Sequence, residues 1–299
     1  MNTTNKLARI SLLATFILIG IGGFTRGSGS GYGCSDRWPL CENGLLWGLL
    51  PRGEYHMIVE WLHRWVAAIV GILILSTAIS IKRNIQNNRI ALNLSIAAVF
   101  AVIIQALIGR SVVKSDLESD LVAVHLAISM VVIALLTIIT VIVSTNKNEN
   151  PKAIDNQGWS RLLAIGALGS YAILLLGAYV HNRYFSGWPL VNNDFKPDLS
   201  DHYTFVHYLH RFVAGLGIIF LFFLISKAKK RSRPKDEKLL IHIAATAYGV
   251  NVLLGAVHVF TEVSSSAVVT AHLLGACCVW VFLIAAATTS HFGVTLTRN

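Results

Sequence analysis

The stretch VEWLHRWVAAIVG, residues Val59–Gly71, places Glu60, His63 and Arg64 at the start of a long apolar run. Ionisable side chains are costly inside a membrane and mark functional sites there by default. A second stretch, VHYLHRFVAGLG at Val206–Gly217, repeats the His-Arg pair before another apolar run. The two stretches predict two related membrane helices that each carry an ionisable group for a functional reason.

The composition of the whole chain is that of a polytopic membrane protein. Of 299 residues, 54% are hydrophobic and 13% are charged, with a mean hydropathy of +0.61, whereas soluble proteins carry about 25% charged residues. The apolar residues form blocks long enough to cross a bilayer, which takes ~20 residues. We predict an all-α integral membrane protein with eight transmembrane helices, at 8–25, 58–81, 91–112, 121–143, 161–180, 205–226, 239–260 and 267–289.

The first apolar block has some features of a signal peptide, because Lys6 and Arg9 precede it. Its long apolar core and the lack of a clear small-x-small cleavage site favour a retained helix instead.

The distribution of positive charge predicts the orientation. The net charge is +10, and 16 of the 25 Lys and Arg residues fall on the side of the membrane that holds the N-terminus. By the positive-inside rule, the protein is a multi-pass cell membrane protein with both termini in the cytoplasm. The basic run KAKKRSRPK, Lys227–Lys235, lies between two spans. It is better explained by contact with membrane lipid headgroups than by nucleic acid, and no nucleic-acid partner is predicted.

The chain has the pattern of an internal repeat. Aligning WLHRWVAAIVG with YLHRFVAGLGI places His63 over His210, and 210 − 63 = 147; His125 and His272 give 272 − 125 = 147. Four spans in each half give both halves the same sense across the membrane, which is a parallel repeat. We predict two pseudo-symmetric four-helix bundles, residues 1–150 and residues 151–299.

The repeated histidines predict haem. A single membrane histidine more often only hydrogen-bonds a neighbour, but here each half carries one on its second helix and one on its fourth. Two imidazoles do not complete a structural zinc site, which takes four ligands. A porphyrin already supplies four ligands to iron, so an axial pair suffices. The predicted axial ligands of haem iron, near the outer ends of their helices, are His63, His125, His210 and His272.

The roles of three residues next to these predicted ligands stay open. Arg64 and Arg211 either pair with haem propionates or extend to the membrane interface. His207 shares a helix face with His210 and is expected to line the second pocket.

The first half carries groups that the second half lacks. Glu60 lies three residues before His63, on the same helix face, where the aligned residue of the second half is His207. A carboxylate there could relay protons or stabilise positive charge, or be an interfacial acid that faces the loop. Cys34 and Cys41 enclose six residues of the first outer loop. A disulfide that shapes a lid is favoured over a redox-active thiol pair.

Together these features resemble the haem A synthase family over essentially the whole chain. The resemblance rests on eight spans in two halves, on EWLHR at Glu60–Arg64, on the loop CSDRWPLC at Cys34–Cys41, and on His125, His210 and His272. Some members of that family carry a second cysteine pair in the matching loop of the later half, where this chain has none; its Cys277 and Cys278 lie inside the last span and are interpreted as packing residues.

The resemblance implies a reaction and a different role for each half of the chain. Members convert haem O to haem A for terminal oxidases by oxidising one porphyrin methyl group to a formyl group through successive hydroxylations. In this chain it implies that His63 and His125 bind the substrate haem O and that Glu60 is catalytic. It also implies that His210 and His272 hold a haem b cofactor that passes electrons. The implied partners are haem O synthase and an electron donor.

Two other classes fit part of the pattern. A non-catalytic di-haem b-type cytochrome that transfers electrons in the membrane explains the four histidines, but not the acid and the cysteines that occur only in the first half. A pseudo-symmetric transporter explains the repeat but not the paired histidines.

The predicted orientation can be tested with reporter fusions placed after Lys235 and after Asn299. Both fusions should report the cytoplasm, because most basic residues fall on that side. A signal from the opposite side at either position contradicts the orientation and the count of spans.

Overall fold

The structure, a computed structural model, describes residues 2–85, 88–144, 157–180, 186–196, 200–262 and 264–293. Within these ranges the chain forms eight helices that are long and apolar enough to cross a membrane, and no β-strand. Each predicted span lies inside one helix, so the all-α, eight-helix prediction is confirmed. The helices are α1 Thr3–Gly27, α2 Tyr55–Asn84, α3 Arg89–Lys114, α4 Ser119–Val143, α5 Gln157–Val180, α6 His202–Lys230, α7 Lys235–Phe260 and α8 Ser266–Phe292.

Most of the helices extend beyond their apolar blocks at one or both ends, and capping side chains explain several of these extensions. The Asn2 side chain accepts a hydrogen bond from the Asn5 amide, and the Asn88 side chain accepts one from Ala91. At α6, Asp201 accepts from both the hydroxyl and the amide of Thr204, which hold the pKa of this carboxyl group below its usual value. Such caps satisfy amides that the first turn leaves free, so polar residues join the helix ends.

Contacts divide the chain into two compact units. The first unit comprises Asn2–Leu136 with Val263–Leu273, and the second comprises Thr137–Glu262 with α8 from Leu274 onward. The boundary that the sequence predicts between its two halves, 150/151, lies outside the described residues. The division into two pseudo-symmetric halves therefore stays a prediction.

In the first unit, small polar side chains join α1 to α2. The Ser11 and Thr77 hydroxyls lie 2.9 Å apart, and those of Thr4 and Ser80 lie 2.7 Å apart. All four residues are buried. Small side chains let helix backbones approach closely, and interhelical hydrogen bonds stabilise that approach where lipid offers no alternative partner. The position of α1 against α2 is therefore fixed along this seam.

In the second unit, a buried ion pair joins three helices at the start of α7. The Arg233 guanidinium donates to both Glu237 oxygens, at 2.9 and 2.8 Å, and to the Ser290 hydroxyl of α8 at 3.1 Å. The Trp159 indole N–H of α5 also donates to Glu237. Arg233 belongs to the basic run that the sequence assigns to lipid headgroups, yet it is only 3% exposed. The headgroup interpretation is wrong for this residue, because the buried acid four residues later gives it a partner inside the protein.

Replacing Glu237 with Ala should destabilise the protein by roughly 3–5 kcal/mol, because it leaves the Arg233 charge buried without its partner. The matched control is Asp236→Asn, which removes a neighbouring acid whose favourable interaction with the helix dipole is worth about 1 kcal/mol or less. Thermal unfolding of the purified protein in detergent gives the comparison. Equal losses in the two variants would show that the ion pair is not what fixes α7.

Candidate functional site

The loop between α1 and α2, residues Ser28–Glu54, is closed on itself by the predicted disulfide. Cys34 and Cys41 are bonded and almost completely buried. They pack against Met57 at the start of α2, with the partly buried Trp61 beside them. The disulfide is thus the core of a small cluster that seats the loop on the end of α2.

A hydrogen bond joins two exposed residues of this loop, Tyr32 and Asp36. The Tyr32 hydroxyl donates a hydrogen bond to Asp36 at 2.8 Å. That bond raises the pKa of Tyr32 to about 12, so the phenol stays protonated at neutral pH.

Glu60 lies directly beneath the disulfide, and both of its oxygens are bound. The Cys34 amide donates to Oε2 at 2.7 Å, and the Arg64 Nε–H donates to Oε1 at 3.0 Å. The residue is 3% exposed. Glu60 is therefore a buried acid, paired with Arg64 and joined to the loop. Whether it is catalytic or only holds the loop stays open at this point.

Arg64 binds the loop backbone as well as Glu60. One of its terminal nitrogens donates to the carbonyl oxygens of Arg37, Pro39 and Leu40 at 2.7, 3.2 and 3.1 Å. A guanidinium carries five N–H donors in a fixed fork, which suits it to several carbonyls at once. This contact is neither of the two roles that the sequence left open for the residue.

In the second unit, Arg211 makes a similar contact with the connection between α5 and α6. Its terminal nitrogen donates to the carbonyl oxygens of Gly187 and Leu190 at 2.5 and 3.0 Å. The sequence carried one signal of this shared arrangement, the tripeptide WPL, which occurs in both loops at Trp38–Leu40 and Trp188–Leu190. In each unit, the arginine of the His-Arg pair fixes the loop that contains WPL.

His63 on α2 and His125 on α4 lie near each other in the first unit. The Nδ1 atoms of both rings are buried, and none of the residues that the structure describes offers them a hydrogen bond. Each ring also packs on a glycine of a neighbouring helix. A Cβ atom on Gly22 or Gly109 would lie 3.1 Å from Cε1 of His63 or His125, respectively. The rings therefore lie directly against helix backbone.

Gln105 of α3 holds the backbone of α4 at His125. Its side-chain amide donates to the His125 carbonyl oxygen at 2.8 Å and to the Ser129 hydroxyl at 2.5 Å. Sequence reasoning missed this role, although the segment QALIG at Gln105–Gly109 resembles NVLLG at Asn251–Gly255 in the second half.

In the second unit, His210 of α6 is oriented by α5. Its Nδ1 lies 3.0 Å from the Ile173 carbonyl oxygen, and a Cβ on Gly177 would lie 2.9 Å from its Cε1. With the proton on Nδ1, the other nitrogen is left with a lone pair, as in metal-ligating histidines. His207 lies nearby, with its ring centroid 6.4 Å from that of His210.

His272 lies in the second turn of α8 and belongs to the first unit. Its predicted pairing with His210 stays a prediction, as do the ligand roles of all four histidines.

The family of the chain follows from comparison with known proteins. The model of the cytochrome oxidase assembly protein family COX15-CtaA matches residues 50–286. The chain belongs to this family. The match contains Glu60 and the four predicted ligands, whereas the two bonded cysteines lie before it.

Individual relatives agree with the family match. The chain is 28% identical to the haem A synthase of Shouchella clausii over 262 residues, which are 83% of this chain and 86% of the relative. It is 29% identical to that of Alkalihalophilus pseudofirmus over 229 residues, 75% and 76% of the two chains. It is 36% identical to that of Bacillus licheniformis over 90 residues, 30% and 28% of the two chains. The resemblance to haem A synthases is confirmed.

The contact between Arg64 and the loop predicts how well the disulfide is protected. Arg64→Gln removes most of the donors that hold the loop, so reductant should reach Cys34–Cys41 faster than in the wild type. The rate is measured by alkylation after timed reduction. Arg211→Gln is the matched control, because it loosens a loop without cysteines. If Arg64→Gln and the wild type are reduced at the same rate, the arginine does not hold the lid.

Proposed function

We propose that the protein is a haem A synthase that oxidises one methyl group of haem O to the formyl group of haem A by successive hydroxylations. The observation that carries this proposal is the pair of imidazoles of His63 and His125, whose Nδ1 atoms are buried, near a disulfide loop that Glu60 and Arg64 hold. The family match supports the same activity.

The residues of the first unit fit a bound haem O substrate. Buried polar atoms in proteins are nearly always hydrogen-bonded, so two buried ring nitrogens without a protein partner indicate a group that binds there. Gly22 and Gly109 leave room for the imidazoles, because a side chain at either glycine would come within 3.1 Å of Cε1 of the ring beside it. In the proposal, His63 and His125 hold the substrate iron from α2 and α4, and the loop excludes water above them.

Glu60 is the proposed catalytic residue. The Cys34 amide and Arg64 orient its two oxygens. A carboxylate fixed at this place can stabilise positive charge that develops at the oxidised methyl carbon, or take up a proton from it.

The proposed cofactor is haem b, held by His210 and His272. The donation from His210 Nδ1 to the Ile173 carbonyl fits this role, because it orients the ring and leaves the other nitrogen for iron. When bound, haem b would supply electron transfer between a membrane donor and the substrate site.

The proposed setting is the cell membrane, with both termini in the cytoplasm, as the positive-inside rule predicts. Haem O synthase is then the proposed source of substrate, and an unnamed electron donor is the second partner.

Replacing Glu60 with Gln tests the catalytic assignment. The change keeps the shape of the side chain and removes its charge, and general acid–base groups contribute about 10²–10⁴-fold to rates. In cells supplied with haem O, haem A per haem b in the purified variant should fall sharply, with haem O or a partly oxidised haem accumulating. Glu54→Gln, which changes an exposed acid of the α1–α2 loop, should leave the ratio of haem A to haem b unchanged. An unchanged ratio in Glu60→Gln removes Glu60 from the catalytic assignment.

Replacing His210 or His272 with Ala tests the cofactor site. Each change removes one proposed axial ligand, so the purified protein should lose most of its low-spin b-type absorbance. His242→Ala, an exposed histidine on α7, serves as the control. Full spectra in both ligand variants would contradict the assignment.

A further inference from the structure

A short apolar hairpin, Leu45–Leu50, projects from the α1–α2 loop. The amide of each terminal leucine donates to the carbonyl oxygen of the other, at 2.8 and 3.1 Å. All of its large side chains are exposed, from 41% at Leu49 and Leu50 to 88% at Trp47. An exposed apolar patch of this kind marks an interaction surface.

The hairpin cannot turn its side chains inward, because it is fixed to the disulfide. The Cys41 amide donates to the Gly48 carbonyl oxygen at 3.1 Å. Gly48 has a φ of +95°, and the Cys41 carbonyl oxygen occupies the place that a side chain would take. The exposed face is therefore a constant feature of the folded loop.

A hydrogen bond from Trp61 fixes the position of the hairpin along the axis of α2. The Trp61 indole N–H donates to the Leu49 carbonyl oxygen at 2.8 Å. Trp61 comes six residues after Tyr55, the first residue of α2, which is about 9 Å along the axis at 1.5 Å per residue. The hairpin thus folds back beside the helix instead of standing above its end.

At this level α2 already shows an apolar face. An exposed stripe continues along the helix through Leu62, Trp65, Ile69 and Ile72. In a membrane-spanning helix such a stripe meets lipid, and Trp residues concentrate where the acyl chains meet the headgroups.

We propose that the apolar hairpin inserts into the interfacial layer of the membrane and that lipid is what covers it. Trp47 and the leucines meet the upper acyl chains, while the exposed charges that flank the hairpin, Glu42 and Arg52, remain among headgroups and water. The disulfide loop is then held from two sides, by Glu60 and Arg64 from the protein and by the hairpin from the bilayer.

The test uses the full-length protein, one chain per nanodisc, so that no second copy can cover the hairpin. Tryptophan fluorescence of the wild type and Trp47→Phe is quenched either with lipids brominated near the headgroup end of their chains or with aqueous iodide. The difference between the two proteins reports Trp47 itself. Trp65→Phe is the positive control, since Trp65 lies on the lipid-facing stripe of α2.

The proposal predicts that Trp47→Phe, like Trp65→Phe, loses part of the quenching by brominated lipid and leaves quenching by iodide unchanged. Loss of iodide quenching alone would place the hairpin in water and overturn the proposal. No change with either quencher would mean that protein covers Trp47, which overturns it equally. Phenylalanine keeps the site apolar, and an unchanged rate of disulfide reduction, measured by alkylation after timed reduction, verifies that the loop is folded.

Discussion

The ion pair between Glu60 and Arg64 is the interaction on which the candidate site depends. The two side chains bind four backbone groups of the α1–α2 loop: the Cys34 amide and the carbonyl oxygens of Arg37, Pro39 and Leu40. A buried pair of charges costs desolvation free energy, which only good geometry and further hydrogen bonds offset. The loop supplies those hydrogen bonds, so the pair and the loop stabilise each other.

Glu60 and the nearby His63 are positioned by different parts of the protein. Glu60 faces the loop through Cys34, while His63 lies against Gly22 of α1 and close to His125. The neighbouring helices position the rings, and the loop positions the carboxylate. A site built in this way can keep its histidines fixed by helix packing even if the loop is altered, which is why Glu60 and the histidines can be tested separately.

The eight helices were predictable because a bilayer demands long apolar segments, and the sequence contains eight of them. The disulfide was predictable from two nearby cysteines in the loop between the first two helices. The hydrogen-bond partners of Arg64 and Arg211 were not predictable. They are backbone carbonyls, which every residue has, so no residue type in the sequence marks them. Only the shared WPL tripeptide pointed to them.

The burial of Arg233 could not be predicted from the sequence for a related reason. A basic run between two spans usually faces headgroups, and only the packing of Trp159 and Glu237 against it reveals a buried pair. The glycine contacts of His63, His125 and His210 were also missed, because a glycine in an apolar helix does not indicate what lies against it. In both cases the missing information was a contact between helices, which a local pattern does not encode.

The central claim is that one chain both binds haem b and produces haem A from haem O. It is tested most directly by expressing the wild-type protein with a supply of haem O, purifying it and analysing the haems extracted from it. The account predicts haem A together with haem b in the same preparation. Haem b alone, at two per chain, would contradict it and identify the protein as an electron-carrying cytochrome.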